Sequence, residues 1–265
     1  MTAQTPIVFQ HLFKSGGTSV IERMRDIVGR DRLLHVKSVA ALTAMARKDP
    51  EKLASYAVVA GHLPLPAIDR LFPGAALMTI LRDPVDRIVS QYFHFRREGL
   101  DLKKTSQEAG AQKPPASKGH LYRSEFCATH DFEAYVLDES PENTTYTRNY
   151  AARALAGMRG AKRPAQGAIL RQARANLKRF SLVMATEDID ARFEEKFRAL
   201  ALERGLVQEG GLAAKTLRSV LPRERRRNVS ALRSRDAAAL SDEALASLVG
   251  WNQFDYALYA EARWL

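Results

Sequence analysis

Residues 13–19 read FKSGGTS, set between the apolar run PIVFQHL (6–12) and the periodic segment SVIERMRDIVG (19–29). The simplest reading is a strand, a Gly-Gly turn and a helix. Val20, Met24, Ile27 and Val28 fall on one helical face, and Gly29 can stop the helix. Two glycines let the backbone come close to an anion, and amides at a helix start aim their N–H groups at it. Lys14 adds a point charge; Ser15, Thr18 and Ser19 add hydroxyls. In outline this is a phosphate cradle, though not the Walker A pattern, whose lysine follows the last glycine. Here Lys14 precedes both Gly16 and Gly17. Gly-Gly beside Ser and Thr is also ordinary turn chemistry, so the rest of the chain has to decide.

Outward from that stretch, strands and helices alternate. LLHV (33–36) leads to a helical-looking segment at 39–54. Residues 57–60 then read as a short buried strand that ends on Gly61-His62. LPLPAIDRLFPG (63–74) is punctuated by proline and reads as a turn with one helical turn. ALMTILRD (76–83) is a further buried strand. Asp83 can cap the next helix with Pro84 at its first position, a strong start signal. Val85, Ile88, Val89, Tyr92 and Phe93 mark the buried face of that helix. Three such alternations predict an α/β protein with a P-loop-type central parallel sheet flanked by helices. Residues 97–131 are polar, carry Gly and Pro-Pro, show no sustained period, and read as a long loop or lid. Residues 132–157 look helical with a break at SPENTT. Residues 168–180 read as a helix, 181–188 as a core strand and 191–205 as an amphipathic helix. Closing helices are expected near 242–249 and 253–263. No internal repeat or domain boundary stands out, so 1–265 is expected to form one domain.

Composition narrows the partners. The chain has 265 residues, 41 Lys and Arg against 30 Asp and Glu, and a net charge of +11. The excess gathers at 148–179 and 215–235, which favours polyanionic partners: nucleic acid, anionic glycans or a nucleotide with several phosphates. A solvated basic face is the plain alternative. Cys127 is the single cysteine, which excludes an internal disulfide framework and a Cys-based zinc site. No apolar run approaches the ~20 residues that span a bilayer. The start of the sequence lacks the basic and apolar regions of a signal peptide. A cytoplasmic location is therefore the expectation. No carboxylate lies in metal-ligand spacing with a histidine, and no metal is expected.

The second informative stretch is LRDPVDRIVSQYFHF (81–95). Arg82 sits at the carboxyl end of a predicted strand, and Ser90 two turns into the helix that follows. Ligands of open parallel sheets bind beyond the carboxyl ends of the strands. Arg82 thus emerges on the rim that carries 13–19, where its planar fork could hold a second phosphate. An ion pair for Arg82 and a plain helix surface for Ser90 are the bland readings.

Together, strand-HLFKSGGTS-helix and strand-RDPVDRIVSQY-helix resemble the two nucleotide-binding signatures of sulfotransferases that use 3′-phosphoadenosine 5′-phosphosulfate (PAPS). The likeness is closest to the heparan and dermatan uronosyl 2-O-sulfotransferase-like branch and related bacterial proteins, where the first loop commonly reads HIPKTGGTS. The resemblance implies that Lys14, Ser15, Gly16, Gly17, Thr18 and Ser19 hold the 5′-phosphosulfate. It likewise implies that Arg82 and Ser90 hold the 3′-phosphate. Phe13 stands where the family usually has Pro. VMATEDIDARFE (183–194), RNVS (227–230) and NQFDYALY (252–259) resemble shorter family landmarks, and Arg227, Asn228 and Ser230 are added as nucleotide contacts on that basis. A Gly-His pair also lies between the two signatures in that branch, its histidine the proposed base; Gly61-His62 matches in order and context. A sugar hydroxyl must lose its proton as it attacks sulfur, and an imidazole with an ordinary pKa of ~6.5 is poised to take it. A local hydrogen bond to a neighbouring loop is the bland reading of His62. His11, beside the loop, is expected only to pack or bond locally.

The expectation is sulfuryl transfer from PAPS to an acceptor hydroxyl on a carbohydrate, with Lys14 and His62 catalytic. Two rivals differ in class. A basic nucleic-acid-binding protein would use the charge alone, but the basic segments lack interleaved aromatics. A P-loop kinase or NTPase would need a lysine after the glycines and an acidic magnesium ligand, for which Asp83 is the obvious candidate.

Overall fold

The structure, a computed structural model, describes residues 5–107, 117–158, 166–208 and 240–264. Its five strands are β1 (Ile7–Gln10), β2 (Leu33–Val36), β3 (Val58–Gly61), β4 (Ala76–Leu81) and β5 (Phe180–Ala185). They form one sheet in the order β2-β3-β1-β4-β5, with every pairing parallel. The helices in chain order are α1 (Gly17–Val28), α2 (Val39–Lys48), α3 (Pro50–Ala54), α4 (Leu65–Leu71), α5 (Pro84–Gln107), α6 (Lys118–Thr129) and α7 (Phe132–Leu137). They continue with α8 (Pro141–Thr147), α9 (Tyr150–Leu155), α10 (Gln166–Leu177), α11 (Ile189–Glu203), α12 (Asp242–Trp251) and α13 (Gln253–Ala262). The α/β class with a central parallel sheet flanked by helices is what the sequence leads one to expect. Among the described residues no helix is long and apolar enough to cross a membrane.

The chain packs as two compact units, one of Met1–Arg82, Ala151–Arg227 and Ala257–Leu265, the other of Asp83–Tyr150 and Asn228–Tyr256. The first holds the sheet. IVFQ, VVAG and ALMTIL are buried at every position, as parallel strands covered on both faces must be. One face packs Ile7, Phe9, Met78 and Met184 against Val20, Met24 and Ile27 of α1 and Phe193 and Phe197 of α11. The other packs Val8, Val59 and Leu77 against Leu42, Leu53 and Ile68 of α2, α3 and α4. At ~25 cal/mol per Å² of apolar surface removed from water, this two-sided burial is the main force behind the sheet. It also fixes where the strand ends, and hence the loops after them, must lie.

The second unit corrects the loop reading of 97–131. Residues 97–107 continue α5, and 118–129 form α6. Gly99 shows why they pair: a Cβ there would fall 1.9 Å from the Ser124 carbonyl oxygen, so α5 and α6 approach at backbone distance. Within 97–131 the buried positions of the two helices, among the described residues, are Gly99, Arg123, Ser124 and Cys127, too few and too polar to show a helical period. Nearby on α5, Arg87, Ser90 and Gln91 are buried as well. Arg87 Nη1 donates to Gln91 Oε1 at 3.0 Å and Nη2 to the Tyr146 carbonyl at 2.8 Å. Its guanidinium lies 4.9 Å from the Tyr150 ring centroid. Arg123 donates to the Glu142 carbonyl at 2.8 Å and lies 4.3 Å from the Tyr146 ring centroid. Aromatic faces and carbonyls thus offset the desolvation of both cations.

SPENTT is also corrected, from a break to a helix start. Ser140 Oγ accepts from the Asn143 amide with Pro141 in the first turn, an N-terminal pattern that outweighs the local turn chemistry. The 63–74 segment holds α4, a longer helix than the expected single turn.

Candidate functional site

Three loops of the first unit leave the carboxyl ends of β1, β3 and β4. The first is the cradle. Lys14 and Gly16 both take left-handed backbone, with φ of 62° and 76°, around Ser15. Alternation of that kind turns successive N–H groups into one anion-binding concavity. For Lys14 the left-handed state is strained by about 1–2 kcal/mol, a cost tolerated where geometry serves a site. Gly16 opens α1 with no side-chain cap. The first amide bonded within the helix is Val20, to the Gly16 carbonyl at 3.3 Å. The N–H groups of Gly17, Thr18 and Ser19 therefore belong to the helix's uncapped positive end. Ser15 is buried, and its Oγ has no hydrogen-bond partner among the described residues. A buried hydroxyl left so costs about 1–3 kcal/mol, unless a ligand completes it. Thr18 and Ser19 are exposed.

Gly17 has a different reason to be glycine. Its φ is not positive; the space of its side chain is already taken. A Cβ there would lie 1.9 Å from His11 Nε2 and 2.1 Å from Cδ2. Gly16 is glycine for its backbone, with Ile189 Cδ1 only 3.0 Å from a built Cβ.

The second loop carries His62. The β1–β3 ladder closes with the His11 amide on the Gly61 carbonyl at 2.9 Å. It continues one step further through a side chain: His62 Nδ1 lies 2.6 Å from the His11 carbonyl. A carbonyl only accepts, so Nδ1 carries the proton. In neutral His62 the lone pair then sits on Nε2, the tautomer a general base needs. The ring stacks on His11 with centroids 4.5 Å apart and 26° between planes, and Phe13 meets its edge at 5.9 Å. His62 is itself exposed, open to an acceptor. Gly61 is required by close approach, since a Cβ would come within 2.7 Å of the Val36 carbonyl oxygen. His62 does bond a neighbouring loop, as its bland reading has it, and that bond fixes which ring nitrogen carries the proton.

The third loop brings Arg82 to the cradle, Nη1 donating to the Lys14 carbonyl at 3.2 Å. Lys14 Nζ lies 5.9 Å from the Phe13 ring centroid. Lys14, Ser15, Gly16, Gly17, Thr18, Ser19, His62 and Arg82 all belong to the first unit. Ser90 belongs to the second, buried on α5. Arg227, Asn228 and Ser230 lie outside the described residues. Asp83 Oδ1 accepts from the Asp86 amide at 3.0 Å, so the carboxylate suggested for a magnesium ion caps α5. The NQFDYALY landmark opens on a structural lock. Buried Asn252 donates from Nδ2 to the Thr147 and Leu248 carbonyls at 2.7 and 2.8 Å, and its Oδ1 accepts from the Asn149 amide at 3.0 Å.

His11 is the residue that sequence reasoning undervalued. It packs locally, as expected, yet it touches both the cradle and the base. A signal was available: a second glycine in a helix start that the backbone alone does not demand.

At the carboxyl rim of an open parallel sheet the structure thus gathers a glycine turn, an uncapped helix start, His62 and Arg82. The Sulfotransferase family model matches residues 1–260. The chain belongs to that family, and it is a transferase of sulfuryl groups. No curated protein matches the chain.

Proposed function

We propose that the protein moves a sulfuryl group from PAPS to a hydroxyl of a carbohydrate acceptor, in the manner of the uronosyl 2-O-sulfotransferase-like branch. The observation that carries this reading is the buried, unpartnered Ser15 Oγ beside the uncapped start of α1. The Ser15 hydroxyl, the helix-start amides and the Lys14 ammonium together form a set of donors, as a multiply charged phosphosulfate requires.

When bound, PAPS supplies an activated sulfuryl group on a phosphate leaving group. The amides of Gly17, Thr18 and Ser19 and the Ser15 hydroxyl would bind its 5′-side oxygens, and Lys14 would neutralise charge that grows there. Arg82, tied to the cradle through the Lys14 carbonyl, would hold a further phosphate with its remaining donors. His62 Nε2 takes the proton of the acceptor hydroxyl as that oxygen attacks sulfur. Fixed donors around a preset base supply the positioning and charge stabilisation on which such transfers depend. The net charge of +11 and the exposure of His62 favour an anionic carbohydrate as acceptor.

A thermal-shift titration with 3′-phosphoadenosine 5′-phosphate tests the donor. At a hundred times its Kd the nucleotide stabilises the native state by ~2.7 kcal/mol, so Tm rises with concentration. A folded protein whose Tm ignores the nucleotide refutes the assignment.

A further inference from the structure

We propose that His11 is a positioning residue that couples the base to the cradle, and that Gly17 is glycine in order to seat it. The inference rests on the reading of His62 as base. Three contacts converge on His11. Its carbonyl accepts His62 Nδ1 at 2.6 Å, its ring stacks on His62 with centroids 4.5 Å apart, and the same ring occupies the place of a side chain at position 17. Beneath, Phe9 stacks on it at 5.5 Å, and its amide is held by the Gly61 carbonyl at 2.9 Å. The ring is thus clamped between the sheet, the helix start and the base. It has no room to turn.

The consequence is mechanical. An exposed imidazole in water rotates and exchanges tautomers; His62 is kept to one orientation by a backbone acceptor below and a flat ring alongside. Displacement of His11 loosens both. A Cβ at 17 cannot enter without moving the His11 ring, because the atoms it would meet, Nε2, Cδ2 and Cε1, are members of that ring at 1.9–2.4 Å. A substitution in the cradle therefore reaches the base through one side chain. Ordinary reasoning about phosphate loops assigns Gly17 to anion approach alone. The structure assigns it a second role, in setting the proton acceptor.

Imidazole nitrogen NMR of the histidine-labelled full chain reads this directly and needs no acceptor. In the wild type above the imidazole titration, His62 shows one tautomer, with the proton on Nδ1. His11→Ala keeps the backbone acceptor but removes the stacked ring, so the Nδ1–H tautomer persists while the His62 resonances shift and broaden; in His11→Phe, which keeps a flat ring, they stay near the wild type. Gly17→Ala shifts them as well, although the change lies in the cradle. An unchanged His62 signature in folded His11→Ala and Gly17→Ala overturns the proposal. Titration of the same samples with 3′-phosphoadenosine 5′-phosphate keeps the two readings apart: a wild type that ignores the nucleotide refutes the donor, not the coupling.

Discussion

Two helix starts in this chain follow the same plan, strand then turn then helix, and end in opposite states. After β4, Asp83 turns back on its own helix and accepts the Asp86 amide, with Pro84 in the first turn. After β1, Gly16 offers no side chain, the backbone runs left-handed at residues 14 and 16, and Ser15 Oγ is buried without a partner. Most other starts resemble the first: Ser38, Asp49, Ser117, Asp131, Ser140 and Ser241 each accept an amide of the helix they open. Such a cap contributes about 1 kcal/mol. α4 and α11 also open without a side-chain cap; α1 differs from them in its left-handed backbone at residues 14 and 16 and in the buried, unpartnered Ser15 hydroxyl beside it.

Changes at the open rim should cost function, and changes at the closed start should cost stability. The largest effect belongs to the base: His62→Ala lowers kcat by roughly 10²–10⁴-fold while nucleotide affinity, read by calorimetry, stays within about threefold. In the wild type, activity falls on acidification, because the base works only unprotonated. Next comes Gly16→Asp, which gives α1 a carboxylate like that of Asp83. Like-charge repulsion of the nucleotide should weaken its binding by about a hundredfold, on the scale of charge-assisted hydrogen bonds lost. Ser15→Ala separates the two currencies: nucleotide affinity falls about tenfold, while the free protein keeps or gains stability because a buried unsatisfied hydroxyl is gone. Asp83→Ala does the reverse, lowering stability by about 1 kcal/mol in a denaturant titration and leaving affinity near the wild type. The smallest effect is a silence. Burial pushes the Cys127 thiol up to about 12, so it stays protonated at pH 8, and a thiol reagent labels it only as fast as the second unit opens.

Much of the fold was legible because parallel strands buried on both faces read as unbroken apolar runs: PIVFQHL, YAVVA and ALMTIL could hardly be anything else. Helix starts marked by Asp-Pro or by Gly-Gly were legible for the same reason, local chemistry with few alternatives. The α5–α6 pair was not. Residues 97–131 bury Gly99, Arg123, Ser124 and Cys127 among those described, so a search for apolar periodicity finds a polar segment where two helices meet. At the site, the sequence let residues 13–19, His62 and Arg82 be placed after β1, β3 and β4, at the carboxyl ends of the strands. It did not reveal His11: a second glycine at the start of α1 hints at crowding, but which ring fills the side-chain space of Gly17 is decided by the fold. That fact exists only once β1, α1 and the loop after β3 converge.

The central claim is that the open start of α1, with Ser15 and Arg82, takes a phosphorylated nucleotide. Isothermal titration of 3′-phosphoadenosine 5′-phosphate into the wild type, Ser15→Ala and Arg82→Ala tests it most directly. The account predicts one nucleotide per chain, bound more weakly by each variant. No heat with the folded wild type, or an affinity that neither variant alters, would contradict it.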